Sequence, residues 1–157
     1  MFGKTTLVFT TVLCLIALGD STDVKQCANG GGNTIKSTVI TECDEPPCEL
    51  KRGTRVEIEQ KFVPDRDVKS LKTSVHATIL GLPLPFVGVD GSDACNHVYD
   101  AQGNVAGCPL KAGTEYHYKN GFPVRKIYPK VSLDVYWALV EDGNPITCFE
   151  VPSKIID

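Results

Sequence analysis

Three long segments alternate apolar and polar side chains with a period of two, and this pattern constrains the fold more than any other feature. The clearest is KVSLDVYWALV (130–140), in which the odd-numbered positions from Val131 to Leu139 are apolar. TRVEIEQKFV (54–63) and SLKTSVHATIL (70–80) alternate in the same way. A period of two is typical of half-buried strands in an antiparallel sheet. The pattern therefore predicts an all-β protein.

Shorter strands complete the predicted sheets. We expect them at Lys36–Thr41, Thr114–Tyr118, Val124–Tyr128 and Ile146–Ile156, and EDGNP (141–145) has the composition of a hairpin turn before the last of them. The segments together make about seven strands, the number expected of a two-sheet sandwich. No long amphipathic helix is detectable. The sequence therefore predicts an immunoglobulin-like β-sandwich.

The first nineteen residues predict a secretory signal peptide. Lys4 precedes an uncharged apolar run (7–19), and the small residues Ala17 and Gly19 suit a cleavage site. The run is too short to span a membrane. We expect a leader at 1–19 and one secreted domain at 20–157. Without Lys4, 15 basic residues face 19 acidic ones, a net charge of 15 − 19 = −4, which argues against nucleic acid as a partner.

Six of the seven cysteines remain after Cys14 leaves with the leader. An even number in a secreted chain predicts three disulfides. Two pairs flank short loops, DEPP and NHVYDAQGNVAG, and the remaining two cysteines would join the start of the domain to its last strand. The predicted pairs are Cys43–Cys48, Cys95–Cys108 and Cys27–Cys148.

Enzyme motifs are absent from the sequence. It has no G-x-S-x-G elbow, no glycine-rich phosphate loop and no H-E-x-x-H zinc motif. His76, His97 and His117 are scattered without ligand spacing, and oxidised cysteines offer no thiol nucleophile. We expect no catalytic residue, no metal and no cofactor.

Two apolar segments carry prolines where a central strand would need backbone donors. They are GLPLPFVG (81–88) and NGFPVRKIYPKV (120–131). Because proline is confined to sheet edges, strand starts and loops, both segments are expected at sheet margins. They could plug an end of the sandwich as ordinary core, or face each other across a slot for an apolar ligand. Composition leaves both interpretations open.

A set of motifs along the chain resembles the ML lipid-recognition family, in its Niemann–Pick type C branch and with arthropod members in particular. The resemblance covers Cys27 to Ile156 and rests on C-x4-C followed by ELKRG, VHATILGLPLPF, ACNHVYDAQGNVAGCPL, YHYKNGFPV, YPKVSLDVYWAL and CFEVPSKI. It implies the sandwich and the same three disulfides. It also implies an apolar tunnel between the sheets, in which a sterol lies with its tail inward and its hydroxyl near the mouth.

The resemblance also implies a set of binding residues. Phe86 matches a phenylalanine at the pocket mouth, and Val124 and Tyr128 match two sterol-contacting positions. Candidates for the deeper wall lie on the inward phase of their strands: Ile40, Leu50, Ile58, Phe62, Leu84, Val135 and Trp137. The prolines of GLPLPFVG are interpreted as stiffeners that keep the segment out of any strand ladder.

Partners and location follow from the same resemblance. It implies a monomeric carrier of a sterol or other apolar lipid, which is passed to membranes or to a multispanning membrane sterol transporter. The chain has no N-x-S/T sequon, so the extracellular space is favoured over lysosomal delivery through mannose-6-phosphate. Two alternatives stay open: a carrier of fatty acids or semiochemicals, and an innate-immune binder of microbial glycolipid with a basic mouth at Arg125 and Lys126.

Overall fold

A computed structural model describes residues 21–28 and 30–157, so the predicted leader (1–19) lies outside the described residues. In the described part, ten strands form two sheets, with a three-residue 3-10 helix (Cys95–His97) as the only helix. The prediction of an all-β, two-sheet sandwich with three disulfides is confirmed. The strands outnumber the expected seven because several contain only two to four residues, too few to show a period. No helix among the described residues is long and apolar enough to cross a bilayer.

The strands are numbered in chain order. They are β1 (Lys25–Gln26), β2 (Ile35–Ile40), β3 (Cys48–Lys51), β4 (Arg55–Phe62), β5 (Lys72–Ile79), β6 (Leu82–Pro85), β7 (Val98–Tyr99), β8 (Tyr116–Pro123), β9 (Ser132–Glu141) and β10 (Asn144–Ile156).

One sheet has six strands and is organised around the long strand β10. Its main order is β1-β10-β9-β5-β6, and β3 also pairs with β10 in the parallel direction. β1 occupies the register of Phe149 and Glu150, whereas β3 occupies that of Ser153 to Ile156. A strand of 13 residues is long enough to carry both short partners in succession along its length.

The second sheet has four antiparallel strands in the order β2-β4-β8-β7. Two strands were predicted in this region, at Thr114–Tyr118 and Val124–Tyr128. The bounds of the first are wrong, and the second does not form. A single strand, β8, replaces the first, and the residues from Val124 to Tyr128 form a turn instead of a strand. Pro123 ends the pairing with β4, because proline has no N–H to continue a ladder.

The core lies between the inner faces of the two sheets. The strands alternate as the sequence predicts, with Val56, Ile58 and Phe62 of β4 buried and their neighbours Glu57 and Lys61 turned outward. The largest fully buried side chains are Trp137, Tyr118, Phe62 and Phe149. Each side chain of this size stabilises the fold by roughly 1.5–3 kcal/mol on burial.

Three disulfides cross-link the described part of the chain. Cys43–Cys48 links the end of β2 to the start of β3 and so connects the two sheets. Cys95–Cys108 closes a 13-residue separation beside β7. Cys27–Cys148 ties the segment after β1 to β10 across a separation of 121 residues.

Candidate functional site

An apolar cleft opens at one end of the sandwich. This outer cleft has a volume of about 220 Å³ and is bounded by β5, β6, β9, β10 and the loop after β8. Nine of its ten lining side chains are apolar, and the tenth is a tyrosine: Ala77, Ile79, Leu84, Pro85, Phe86, Val87, Tyr128, Pro129, Leu133 and Ile155. Such a surface can hold an apolar group by excluding water from it.

The GLPLPFVG segment forms one wall of the outer cleft as an edge strand. Leu84 pairs with Ala77 and Pro83 with Thr78, so the segment does join a ladder and the expectation that its prolines keep it out is wrong. It still lies at a sheet margin, as expected, because proline is tolerated on an edge strand where it lacks only one donor. The edge position leaves Leu84 half exposed over the cleft.

The turn between β5 and β6 places an apolar side chain at an unusual position. Leu80 and Gly81 both have positive φ, 51° and 81°, as the central residues of a two-residue type I′ hairpin do. Asparagine or aspartate is the usual choice for the first of these positions, since a bulky side chain there is strained. Leu80 is nevertheless 98% exposed, so neither packing nor turn chemistry explains a leucine there.

The opposite wall is the loop after β8, which is held by backbone hydrogen bonds. Val124 N–H donates to the Thr54 carbonyl at 2.9 Å, and its own carbonyl accepts from Gly53. Arg52 donates to the carbonyls of Lys126 and Tyr128, both at 3.3 Å. These contacts position the Tyr128 ring over the cleft.

An ion cluster holds Arg52 in place. Its guanidinium pairs with the Asp157 carboxylate, to which Lys130 also donates at 2.8 Å. The hydrogen bond from Lys130 and the one from Arg52 lower the pKa of Asp157. The carboxylate therefore remains ionised, and paired with both cations, to a lower pH than an isolated aspartate would.

Aromatic rings fill the space inward from the outer cleft. The Phe86 ring, which lines the cleft, packs on Phe122 with centroids 5.0 Å apart and meets Tyr128 edge-on at 6.4 Å. Phe122 in turn contacts Trp137 at 5.9 Å. Phe86 is buried with its ring against Phe122, so the cleft ends at this contact in the observed conformation.

A small cavity lies between the sheets on the far side of the contact between Phe86 and Phe122. This inner cavity has a volume of about 10 Å³, space for one water-sized sphere. Both sheets contribute to its wall: Ile40, Val56, Ile58 and Phe122 from one, and Cys48, Leu50, Val135, Phe149, Val151 and Ser153 from the other.

The predicted binding residues fall into three groups. Leu84, Phe86 and Tyr128 line the outer cleft, whereas Ile40, Leu50, Ile58 and Val135 line the inner cavity. Phe62, Val124 and Trp137 line neither space and are buried in the core. Phe62 packs on Tyr116 at 6.1 Å, farther along the strands than either space.

Several lining residues are absent from the predicted set. Ala77, Ile79 and Leu133 occupy the inward phase of strands that the periodicity identifies, so the same signal could have found them. Val56, which lines the inner cavity, is on the inward phase of such a strand too, whereas Phe122, which also lines it, lies between two predicted strands and had no such signal. Inward phase alone, however, does not distinguish a residue that faces a space from one that is packed.

The family model for the ML domain matches residues 21–155 of this chain. The match thus covers nearly all of the described residues, including both sheets, the three disulfides and every residue that lines the outer cleft or the inner cavity.

Individual relatives match over similar lengths. The chain is 35% identical to the ecdysteroid-regulated 16 kDa protein of Manduca sexta, over 95% of this chain and 99% of that protein. It is 32% identical to the NPC intracellular cholesterol transporter 2 homolog a of Drosophila melanogaster, over 95% and 99%. Among solved structures, a Niemann–Pick type C2 protein from Japanese carpenter ant superposes with a TM-score of 0.71 at 28% identity, covering 85% of this chain and 99% of that one.

Proposed function

Since the chain belongs to the ML domain family, we propose that it is a carrier that binds a sterol or another apolar lipid between its two sheets and delivers it to a membrane or a membrane partner. The observation that carries this proposal is the outer cleft, which is apolar and is separated from the inner cavity by the Phe86–Phe122 contact. Binding, without covalent chemistry, is the proposed activity.

The relatives support a sterol as the ligand class. One of them is named as a cholesterol transporter homolog, and the superposed structure is of a Niemann–Pick type C2 protein. The cleft itself favours an uncharged group, because no Asp, Glu, Lys, Arg or His of the described residues lines it. A phosphorylated glycolipid would need cations there, and Arg125 and Lys126 lie outside its lining.

Binding requires the two walls of the cleft to separate. Ligand sites of drug size usually have volumes of about 300–1,000 Å³, more than the outer cleft and inner cavity together offer. We propose that Phe86 and Tyr128 move apart while the three disulfides hold the sheets. Phe86 directly follows the edge strand β6 and Tyr128 lies on a loop, so both can move without breaking the centre of either sheet.

The energy of binding would come from apolar burial. Removing about 300–400 Å² of ligand surface from water at roughly 25 cal/mol per Å² gives a gross driving force of order 8–10 kcal/mol. The loss of translational and rotational freedom offsets a large part of that sum. Submicromolar affinity is therefore attainable without an ion pair.

Lipid binding can be tested directly. We expect the delipidated protein to take up a fluorescent sterol with a stoichiometry of one, and unlabelled cholesterol to displace it. Palmitate as competitor distinguishes a fatty-acid carrier from a sterol carrier. Mass spectrometry of lipids extracted from the natively secreted protein would identify the physiological class. Failure to bind either lipid, together with an empty extract, would contradict the proposal.

Delivery to a membrane would use the exposed apolar residues around the outer cleft. Leu80, Leu82 and Val87 lie on the β6 side, and Ile127, 86% exposed, lies on the loop opposite. Apolar side chains clustered in water around an apolar opening are typical of a surface that meets a membrane or partner. We propose that this rim enters the outer layer of a bilayer, so that the ligand leaves without crossing water.

Replacing Leu80 by asparagine should slow delivery of the lipid to membranes without lowering the stability of the fold. Asparagine favours positive φ in a type I′ turn, so we expect the melting temperature to be unchanged or higher. Loss of the exposed leucine should slow transfer of a fluorescent sterol to phosphatidylcholine vesicles several-fold, with binding affinity unchanged. Val105→Asn is the matched control, because Val105 is 60% exposed on a loop away from the cleft. Equal transfer rates for Leu80→Asn and wild type would rule out this role for the rim.

Location and assembly belong to the same proposal. We propose that residues 1–19 direct secretion and are removed, that the domain acts as a monomer in the extracellular fluid, and that any protein partner is a multispanning sterol transporter. The missing sequons support an extracellular over a lysosomal location.

A further inference from the structure

A row of polar side chains crosses the inner face of the four-stranded sheet, where apolar residues are expected. Gln60 lies in the middle strand, β4, with Thr38 opposite it in β2 and Tyr118 opposite it in β8. Burial of alternate residues along β4 places Gln60 on the same face as Ile58 and Phe62. Gln60 is 0% exposed. We call Thr38, Gln60 and Tyr118 the polar row.

Several buried polar atoms at or next to this level have no hydrogen-bond partner within the described residues. They are both amide atoms of Gln60 and the hydroxyl oxygens of Thr38 and Thr147. Tyr118 is different, because its hydroxyl accepts from Asn120 Nδ2 at 3.0 Å. Burial raises the pKa of Tyr118, so its phenol stays protonated and polar but uncharged at physiological pH.

Other buried polar side chains of the protein are paired. Thr22 bonds the Cys43 carbonyl, Thr34 bonds the carbonyls of Gly31 and Ile146, and Thr73 bonds the Val89 and Ser92 carbonyls. Ser153 donates to the Val151 carbonyl. Among the described residues, the fold therefore satisfies buried polar groups elsewhere, and the unpaired ones lie at the polar row or one inward position beyond it.

This level lies directly beyond the inner cavity as seen from the outer cleft. Along β9, Leu133 lines the cleft, Val135 lines the cavity, and Trp137 follows. Along β10 the same order runs from Ile155 at the cleft through the cavity residues Val151 and Phe149 to Thr147, which pairs with Leu139, one inward position beyond Trp137. In the facing sheet the cavity residues Ile58 and Ile40 each lie two positions from a member of the polar row, Ile58 before Gln60 and Ile40 after Thr38.

The depth suits the inner end of a bound lipid. Trp137 lies four positions after Leu133 in β9, which corresponds to about 13 Å along a strand. A lipid that enters through the outer cleft and extends between the sheets would end at the polar row.

A purely hydrocarbon end would leave these atoms unpaired. A buried donor or acceptor without a partner costs about 1–3 kcal/mol. An oxygen on the ligand would accept from the Gln60 amide, and a ligand hydroxyl could also donate to Gln60 Oε1. An anionic oxygen does not suit the level, because no charged side chain among the described residues is buried to compensate it.

We propose that the polar row selects a lipid that carries an uncharged hydroxyl or carbonyl at the end that enters first. The inference rests on the proposed lipid-carrier function and narrows its ligand class. It assigns Gln60 as the residue that determines this specificity, with Thr38, Trp137 and Thr147 around it.

The test compares cholesterol with cholesterol bearing one extra hydroxyl at the end of its side chain. We expect the delipidated wild-type protein to bind the hydroxylated sterol about tenfold more tightly, the effect of one well-formed buried hydrogen bond. Gln60→Leu should abolish that preference, mainly by weakening binding of the hydroxylated sterol. If that variant folds poorly, Thr38→Val, which keeps the side-chain shape, should reduce the preference in the same direction.

Ile58→Val is the matched control, since Ile58 lies two residues along the same strand and lines the inner cavity. It should change both affinities together and leave their ratio intact. Palmitate and its ω-hydroxylated form provide the same comparison if the ligand is an acyl chain. Binding of the plain lipids without preference for either hydroxylated form would overturn the inference while leaving the carrier function standing. Binding of none of the four would contradict both.

Discussion

Replacing Ala77 by phenylalanine is expected to abolish lipid uptake while leaving the fold intact. Ala77 lies on β5 and lines the outer cleft, opposite Leu84 of β6 and Val135 of β9. A phenylalanine ring there would occupy the cleft of about 220 Å³ and would bury its own apolar surface instead of the ligand's. We expect at least a hundredfold loss of affinity for a fluorescent sterol, and a melting temperature unchanged or higher.

Thr78→Phe is the matched control for this experiment. Thr78 is the next residue on the same strand and faces the outside of the six-stranded sheet, so an aromatic ring at that position cannot reach the cleft. It should bind sterol as wild type does. Normal uptake by Ala77→Phe would show that the ligand does not enter through the outer cleft.

Phe86→Ala is a poorer test of the same site. The Phe86 ring is buried against Phe122 at 5.0 Å, and truncation of a buried phenylalanine costs about 3–5 kcal/mol. A loss of binding in that variant would therefore be mixed with a loss of fold. Filling an existing space avoids this ambiguity.

Removing the Cys27–Cys148 disulfide is expected to have the largest effect on stability. The bridge spans a sequence separation of 121 residues. In the chain-entropy model, releasing a loop of this length lowers the free energy of unfolding by about 5 kcal/mol. The double variant Cys27→Ala, Cys148→Ala should melt roughly 10–20 °C below wild type, which differential scanning calorimetry would measure.

Cys43→Ala, Cys48→Ala provides the comparison. That bridge spans only five residues, so the same model gives a loss of about 2 kcal/mol. The order of the two melting temperatures is the decisive result. If removing Cys43–Cys48 lowers the melting temperature as much as removing Cys27–Cys148, the contribution of the Cys27–Cys148 bridge to stability is not the entropy of loop closure.

Much of the fold was predictable because its signals are local. The inward residues of β4, β5 and β9 follow the period of two in the sequence, and the sandwich follows from several such strands. Short strands such as β1 and β7 contain two residues each and exist only because a neighbour offers a free edge. The predicted strand at Val124–Tyr128 failed for a related reason. Its apolar residues suit a strand, but prolines on both sides remove backbone donors at its ends.

The candidate site was predictable in part. The resemblance to the ML family assigned Phe86 and Tyr128 to the site, and both line the outer cleft together with Leu84. The inward phase of the strands added Phe62 and Trp137, which line neither space and are buried in the core. A residue that lines a cavity and a residue that packs in the core both occupy inward positions of a strand. The period of two therefore cannot distinguish them.

Gln60 shows most clearly what the sequence can predict about the interior and what it cannot. Its place between Ile58 and Phe62 on the inward phase of TRVEIEQKFV is visible in the sequence, and it marks an amide where an apolar residue is expected. Its meaning depends on Thr38, Tyr118, Trp137 and Thr147, which come from four other strands. The class of fold and two of the cysteine pairs follow from spacing along the chain, because side-chain alternation and short loops are local properties, and Cys27–Cys148 is the pair that remains. Which residues border a cavity, and which buried polar atoms lack a partner, depends on strands distant in sequence being brought face to face.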